Sequence, residues 1–476
     1  MFKCTKGKTN LWGATQVVFS SLFFLCIFLP VSLGLYYLIK NRTYRNVILI
    51  LISLFFYAWG EPVWISILIV STLINWFLAL KISENKNNWK GKAALTLSVA
   101  ENLLILVFFK YSGFIAENIN LVIGSNIGLG SVGLPIGISF FTFKIISYTA
   151  DVYKGEVNAQ KSPFKLLLYV SLFHQIMAGP IVRYKDMEEA IDNRVETAEL
   201  FNDGVNRFII GLGKKVLLSN IAAKVAVNFL GTDYTRLSVL GAWFGIILFA
   251  LQLYFDFSGY SDMAIGLGKM FGFTYKENFN YPYISKSATE FWRRWHISLG
   301  SFFKDYVYIP LGGNRRFMIR NLFIIWLLTG LWHGASWNFI IWGLYFFVLI
   351  CVEKLFLKKP LDIIPGIFSR IYLWVAVLVG WVFFFHTDLS QAFTFLGIMF
   401  GAKNAPFSSP EVSIHFWNNA VFLLIAFIGC TPVFKRLNQK IKFGAFAKPV
   451  FNTMVLILSI IFLAGQTYSP FMYFKF

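Results

Sequence analysis

A chain of 476 residues in which 57% are hydrophobic and 14% charged holds too few charges to cover a water-exposed surface of its size, since soluble domains carry about 25%. The formal charge of +20 would suit a nucleic-acid binder. The basic residues, however, fall in short clusters between long apolar runs, the pattern of cytoplasmic loops in a membrane protein, and no compact basic domain is present. Cys4, Cys26, Cys351 and Cys430 form no C-x-x-C pair, so neither a disulfide framework nor a metal site is expected.

Residues 1–16 read as a polar tail and residues 17–476 as a single membrane domain. The run at 17–39 is too long for the apolar core of a signal peptide and lacks an A-x-A-like cleavage site, so it reads as a retained first span. Further apolar runs lie at 46–60, 63–81, 93–111, 127–148, 164–182, 205–229, 239–265, 321–335, 337–353, 371–386, 416–434 and 450–468. They predict an all-α, polytopic transmembrane protein with roughly ten to twelve spans, the shorter runs forming half-helices or re-entrant segments. The basic loops at Lys40, Arg42 and Arg45 and at Lys81, Lys86, Lys90 and Lys92 both suit the cytoplasmic face, which puts the N-terminus outside; Lys3, Lys6 and Lys8 argue the other way. The clusters Arg315, Arg316 and Arg320, then Lys354, Lys358 and Lys359, then Lys435, Arg436, Lys440, Lys442 and Lys448 are further cytoplasmic candidates. The acidic stretch 183–199 reads as a solvated loop or surface helix.

The polar-rich centre is 252–338. Asp256 and Asp262 close an apolar run, and carboxylates there are costly if they face lipid. Their spacing is not the three or four of one helix face, which leaves a hydrogen-bonded structural turn or the lining of a polar cavity. Thr289 to Lys304 reads as an amphipathic helix, with Trp292, Trp295, Leu299 and Phe303 on one face and Arg293, His296, Gly300 and Lys304 on the other. Such a helix lies in the membrane interface, and its basic face could receive the phosphates of an acyl carrier or cofactor at Arg293, Arg294 and Lys304. After the breaker-rich turn at 308–316, the climb from Asn321 to His333 spans about 20 Å at 1.5 Å per residue, against a hydrocarbon core of about 30 Å. Basic clusters bracket this hairpin on both sides, so its turn at Gly334 lies within the membrane, with His333 at the floor of a depression reached from outside. A histidine there is expensive to charge, and a neutral imidazole is suited to proton transfer near pH 7. The bland alternative is a histidine packed against a neighbouring helix.

At these residues the chain resembles the membrane-bound O-acyltransferase family. Phe291-Trp-Arg-Arg-Trp-His-Ile-Ser-Leu299 and Gly330-Leu-Trp-His-Gly334 are the most specific pieces, and the likeness runs from about residue 17 to 476. The resemblance implies a fold with a central tunnel, His333 as the essential histidine and His296 as the second recurrent one. It implies a cytoplasmic acyl thioester, acetyl-CoA in the first instance, as donor, with no permanently bound cofactor. It further implies an extracytoplasmic partner protein, a cell-surface polysaccharide as acceptor, and residence in the bacterial inner membrane. Trp332 and Asn338 are candidate donors to the reacting carbonyl. One departure is Phe173-His174-Gln175, where relatives usually carry proline; His174 has no assigned catalytic role. The rival readings are a transporter or flippase, which also uses broken helices and intramembrane polar groups, and a structural subunit of an export complex.

Overall fold

The computed structural model describes residues 18–128, 133–231, 234–402, 404–441 and 447–465, and among these no strand occurs. The polar tail 1–16 with Cys4, the basic residue Lys442 and the terminal stretch 469–476 lie outside the described residues.

Among the described residues seven helices are long and apolar enough to cross a bilayer: Arg42–Gly60, Ile65–Glu84, Trp89–Ile123, Val239–Met270, Trp337–Ile363, Gly366–Phe385 and Ala447–Ala464. Pro410–Asn418 and Ala420–Gly429, bent by 67°, make an eighth if counted as one broken span. That is below the roughly ten to twelve expected from run lengths, for local reasons. The run at 127–148 becomes helical only at Ile138–Lys154. The run at 164–182 breaks into Pro163–Ser171 and Phe173–Ile176 and then turns irregular. The run at 205–229 is helical, but as Ala198–Gly213, a π-helical turn at Lys214–Ser219 and Asn220–Leu230, with Arg207, Lys214 and Lys215 inside it. Apolar run length alone does not register such breaks and buried charges.

Contacts divide the chain into two compact units. In Cys4–Phe208 with Ser261–Lys276, the helices Ile65–Glu84, Trp89–Ile123 and Ile138–Lys154 pack on one another. Polar side chains stitch them: Asn75 Nδ2 donates to Glu101 Oε2 at 2.8 Å, and Ser98 Oγ lies 2.5 Å from Asn75 Oδ1 and 3.0 Å from Thr149 Oγ1. The acidic stretch 183–199 is only partly a solvated surface. Its Glu196 is buried among Arg42, Arg45 and Arg194, with Arg42 Nη1 at 2.6 Å and Arg45 Nη1 at 2.9 Å. Burial alone would raise the Glu196 carboxyl, but the hydrogen bonds from Arg42 and Tyr36 and the Arg42 and Arg45 charges outweigh it and hold it down at about 2. His174 is fully buried in this unit, with Nδ1 3.3 Å from the Tyr275 hydroxyl.

The second unit, mainly Ile209–Tyr260 with Glu277–Phe476, holds the histidines of interest. Its core is aromatic: Trp292, Trp326, Trp342, Phe346, Trp381 and Phe384 meet mostly edge to face, the arrangement that ring quadrupoles favour.

Candidate active site

His333 is the last residue of the helix Met318–His333, whose 16 residues rise about 24 Å. The chain turns at Gly334 and returns through Trp337–Ile363, 27 residues long. The outgoing arm is therefore shorter than a bilayer core of about 30 Å, and it begins three residues before the expected Asn321, at Met318. The two arms pack backbone to backbone. A Cβ on Gly330 would overlap the Phe339 carbonyl oxygen and sit 3.5 Å from the Gly343 Cα, while one on Gly334 would run into the Phe339 ring. These glycines thus admit the neighbouring helix and a ring. The turn is tied further by Asn338, whose Nδ2 donates to Phe383 O at 3.0 Å and whose Oδ1 accepts from the Ser336 hydroxyl.

The His333 ring is buried, at 7% exposure, inside an aromatic wall. Trp332 and Trp342 lie at 4.9 Å between ring centroids, Phe384 at 5.2 Å and Phe339 at 6.4 Å. Trp342 is fully buried, and its indole Nε1–H has no hydrogen-bond acceptor among the described residues. A buried donor without a partner is rare and costs about 1–3 kcal/mol. Sequence reasoning passed over Trp342, because nothing local separates it from the many other tryptophans of this chain.

The expected single helix over 289–304 is two helices, Ala288–Arg294 and Ile297–Phe303. Between them Trp295 is extended and His296 adopts a left-handed backbone, φ 44°, ψ 54°. The facing of Trp292, Trp295 and His296 expected from one continuous helix therefore does not hold. Trp295 and His296 are both buried, and Arg293 and Lys304 are exposed. Helical periodicity ran through the break because the conformation of His296 is held by distant residues. Asn280 N donates to Arg294 O at 2.9 Å and Ile297 N to Asn278 O at 2.9 Å. The first helix is anchored equally firmly. Ser287 Oγ accepts from Glu290 N at 3.0 Å as the N-cap, and Glu290 Oε2 accepts from Lys286 N at 2.9 Å. The buried Glu353, on the returning arm of the hairpin, accepts from Ala288 N (2.6 Å), Thr289 N (2.8 Å), Thr289 Oγ1 (2.7 Å) and the Tyr372 hydroxyl (3.1 Å). Glu353 was not singled out from sequence, since it caps a helix more than sixty positions away.

His296 lies 5.9 Å from Trp332 between ring centroids, so Trp332 stands beside both histidines. Burial holds the His296 imidazole down at about 3 and therefore neutral at physiological pH. Of the three basic residues expected to receive phosphates, Arg294 is engaged by Glu290 at 2.8 Å and by Asn280 O at 3.2 Å. Arg293 and Lys304 remain exposed, and Lys354, within electrostatic range of Arg293, donates to Asn314 Oδ1 at 3.1 Å. Asp256 and Asp262 form no turn: both lie inside the continuous helix Val239–Met270. Asp256 pairs with Lys215 at 2.5 Å within the unit that holds His333, and Asp262 pairs with Arg207 at 2.6 Å within the other unit. Each carboxylate is thus paired with a cation of its own unit. Among the described residues no group of three or more His, Cys, Asp or Glu is placed to hold a metal ion.

The short helix thus ends in an aromatic-walled imidazole, and a second imidazole stands across the Trp332 indole from it. The family model of membrane-bound O-acyltransferases matches residues 2–386, and the chain belongs to that family: it is a multi-pass membrane acyltransferase. A probable alginate O-acetylase of Pseudomonas putida is 38% identical across 97% of this chain and 100% of its own length. A peptidoglycan O-acetyltransferase of Helicobacter pylori is 36% identical over 81% of this chain and 80% of its own. A teichoic acid D-alanyltransferase of Bacillus subtilis is 31% identical over 47% and 60%.

Proposed function

We propose that the protein moves an acetyl group from a cytoplasmic thioester, acetyl-CoA, to a hydroxyl destined for a cell-surface polysaccharide, at His333, in the bacterial inner membrane. The observation that carries this reading is His333 at the tip of a helix too short to cross the bilayer, walled by Trp342, Phe384 and Trp332. Relatives named for alginate and for peptidoglycan acetylation support a polysaccharide acceptor, and the acetyl group passes to it through an extracytoplasmic partner in this proposal.

In this mechanism neutral His333 takes the proton of the acceptor hydroxyl as its oxygen attacks the thioester carbonyl. The tetrahedral oxyanion is stabilised by a buried donor, and the Trp342 indole N–H, with no acceptor of its own, fits that task better than Asn338, whose amide is tied to Phe383 and Ser336. The C–S bond then breaks, the thiolate leaves toward the cytoplasm, and the imidazolium returns the proton to it. Arg293 and Lys304, exposed beside the interfacial helices, attract the donor's phosphates.

The deciding experiment supplies purified protein and its partner with labelled acetyl-CoA. His333→Ala at normal expression should abolish thioester breakdown and polymer acetylation. Retained acetylation would end the assignment, and the absence of thioester turnover in the wild type with every partner present would favour transport.

A further inference from the structure

We infer that Asn278 is a positioning residue that fixes the tautomer of His296, leaving the Nε2 lone pair as its basic atom; this rests on the proposed reaction at His333 and adds to it that His296, on the other side of Trp332, belongs to the same site. The argument begins with a donor of known identity. Ser298 N can only donate, and it lies 3.1 Å from the Asn278 side-chain atom assigned as Oδ1. That contact makes the atom the carbonyl oxygen of the amide, and an amide flip would put two donors face to face. The same oxygen accepts from the Ser298 hydroxyl at 2.9 Å and lies 3.2 Å from His296 Nδ1. The Ser298 hydroxyl also lies 3.4 Å from Nδ1, but its one hydrogen goes to the nearer Oδ1; a bare Nδ1 would then set two acceptors against each other at 3.2 Å, so Nδ1 carries the hydrogen. In a neutral imidazole Nε2 is then unprotonated. It is buried, with no hydrogen-bond partner among the described residues. The ring is held edge-on to Phe257 at 4.6 Å between centroids and faces Trp332 at 5.9 Å.

Asn278 also accounts for the backbone. A left-handed conformation at a non-glycine residue is costly and persists where the surroundings over-determine it. Asn278 supplies that constraint twice, its main-chain oxygen taking Ile297 N at 2.9 Å and its side chain taking Ser298 N. It thereby satisfies two of the free N–H groups at the start of Ile297–Phe303 while aiming the ring that precedes them. One fully buried amide thus sets both the direction and the protonation pattern of His296.

The test uses the full-length protein carrying 15N-labelled histidine. The wild type should show one imidazole with protonated Nδ1 and unprotonated Nε2, absent in His296→Gln. Asn278→Ala should lose that signature and lower kcat by roughly 10²–10⁴-fold with little change in KM for acetyl-CoA. Because Asn278→Ala removes a helix cap, Asn278→Asp is the second arm. It keeps an acceptor for Ser298 N and Nδ1–H but adds a charge that favours the imidazolium, so the acid limb of the pH–rate profile should move to higher pH. A wild-type His296 protonated on Nε2 would overturn the inference, as would an unshifted acid limb in folded Asn278→Asp. If the tautomer is lost in folded Asn278→Ala while kcat is unchanged, the positioning role falls and the assignment of His333 stands.

Discussion

Gly330→Ala is a one-carbon change three residues from His333 that should cost far more than its size. The added Cβ would overlap the Phe339 carbonyl oxygen, with the carbonyl carbon at 3.2 Å and Gly343 Cα at 3.5 Å. Both near atoms are backbone, so no side-chain rotation relieves the overlap. The arms must separate by about 1 Å to restore ordinary contact. Overpacking of this kind costs about 1–3 kcal/mol, partly offset by the roughly 1 kcal/mol helix preference of alanine over glycine. The larger effect falls on chemistry, since a shift of about 1 Å at the reacting group can lower the rate about 10²-fold. Gly300→Ala is the control, since a Cβ there would meet only Trp292 O, at an ordinary 3.8 Å. Acetyl transfer from labelled acetyl-CoA and the thermal midpoint in detergent should be measured on both. Wild-type turnover by Gly330→Ala would refute the view that the close crossing of the two arms places His333.

Trp342→Phe keeps the ring against His333 and removes only the indole donor; kcat should fall roughly 10²-fold with KM nearly unchanged, and wild-type kcat would free Trp342 of any oxyanion role. Lys215→Met removes the cation 2.5 Å from Asp256 and should destabilise by about 3–5 kcal/mol, whereas Lys215→Met with Asp256→Leu should recover most of that loss in a thermal unfolding series. Glu196 is depressed from the ordinary 4.5 to about 2, so its contribution to stability is complete above about 4.5 and lost as pH falls through about 2. The unfolding midpoint of the wild type should accordingly drop across that window more steeply than that of Glu196→Gln, and parallel curves would show that the arginine cluster does not depend on this charge.

Composition and run lengths made the all-helical membrane class legible. The comparison of a short apolar climb with bilayer thickness places His333 at a helix tip, where the structure has it. What escaped was decided by contacts distant in sequence. The break at His296 is imposed by Asn278 and Asn280, the cap of Ala288–Arg294 by Glu353, and the neutralisation of Asp256 by Lys215. Apolar runs likewise outnumber the single helices long enough to cross a bilayer, because a run records hydrophobicity without recording whether the backbone remains one helix. Trp342 differs from its neighbours only in an indole hydrogen that found no acceptor, which is a property of packing.

The Lys215–Asp256 pair bears on how the chain enters the bilayer. Either residue alone at the centre of a helix disfavours insertion by roughly 3 kcal/mol, and the stretch from Ala198 to Leu230 carries other cations as well. The later helix, Val239–Met270, is apolar enough to partition, yet it brings a carboxylate that wants a counter-charge. Integrated together, the two ions meet each other rather than lipid. The pairing therefore favours joint over stepwise integration of the two segments.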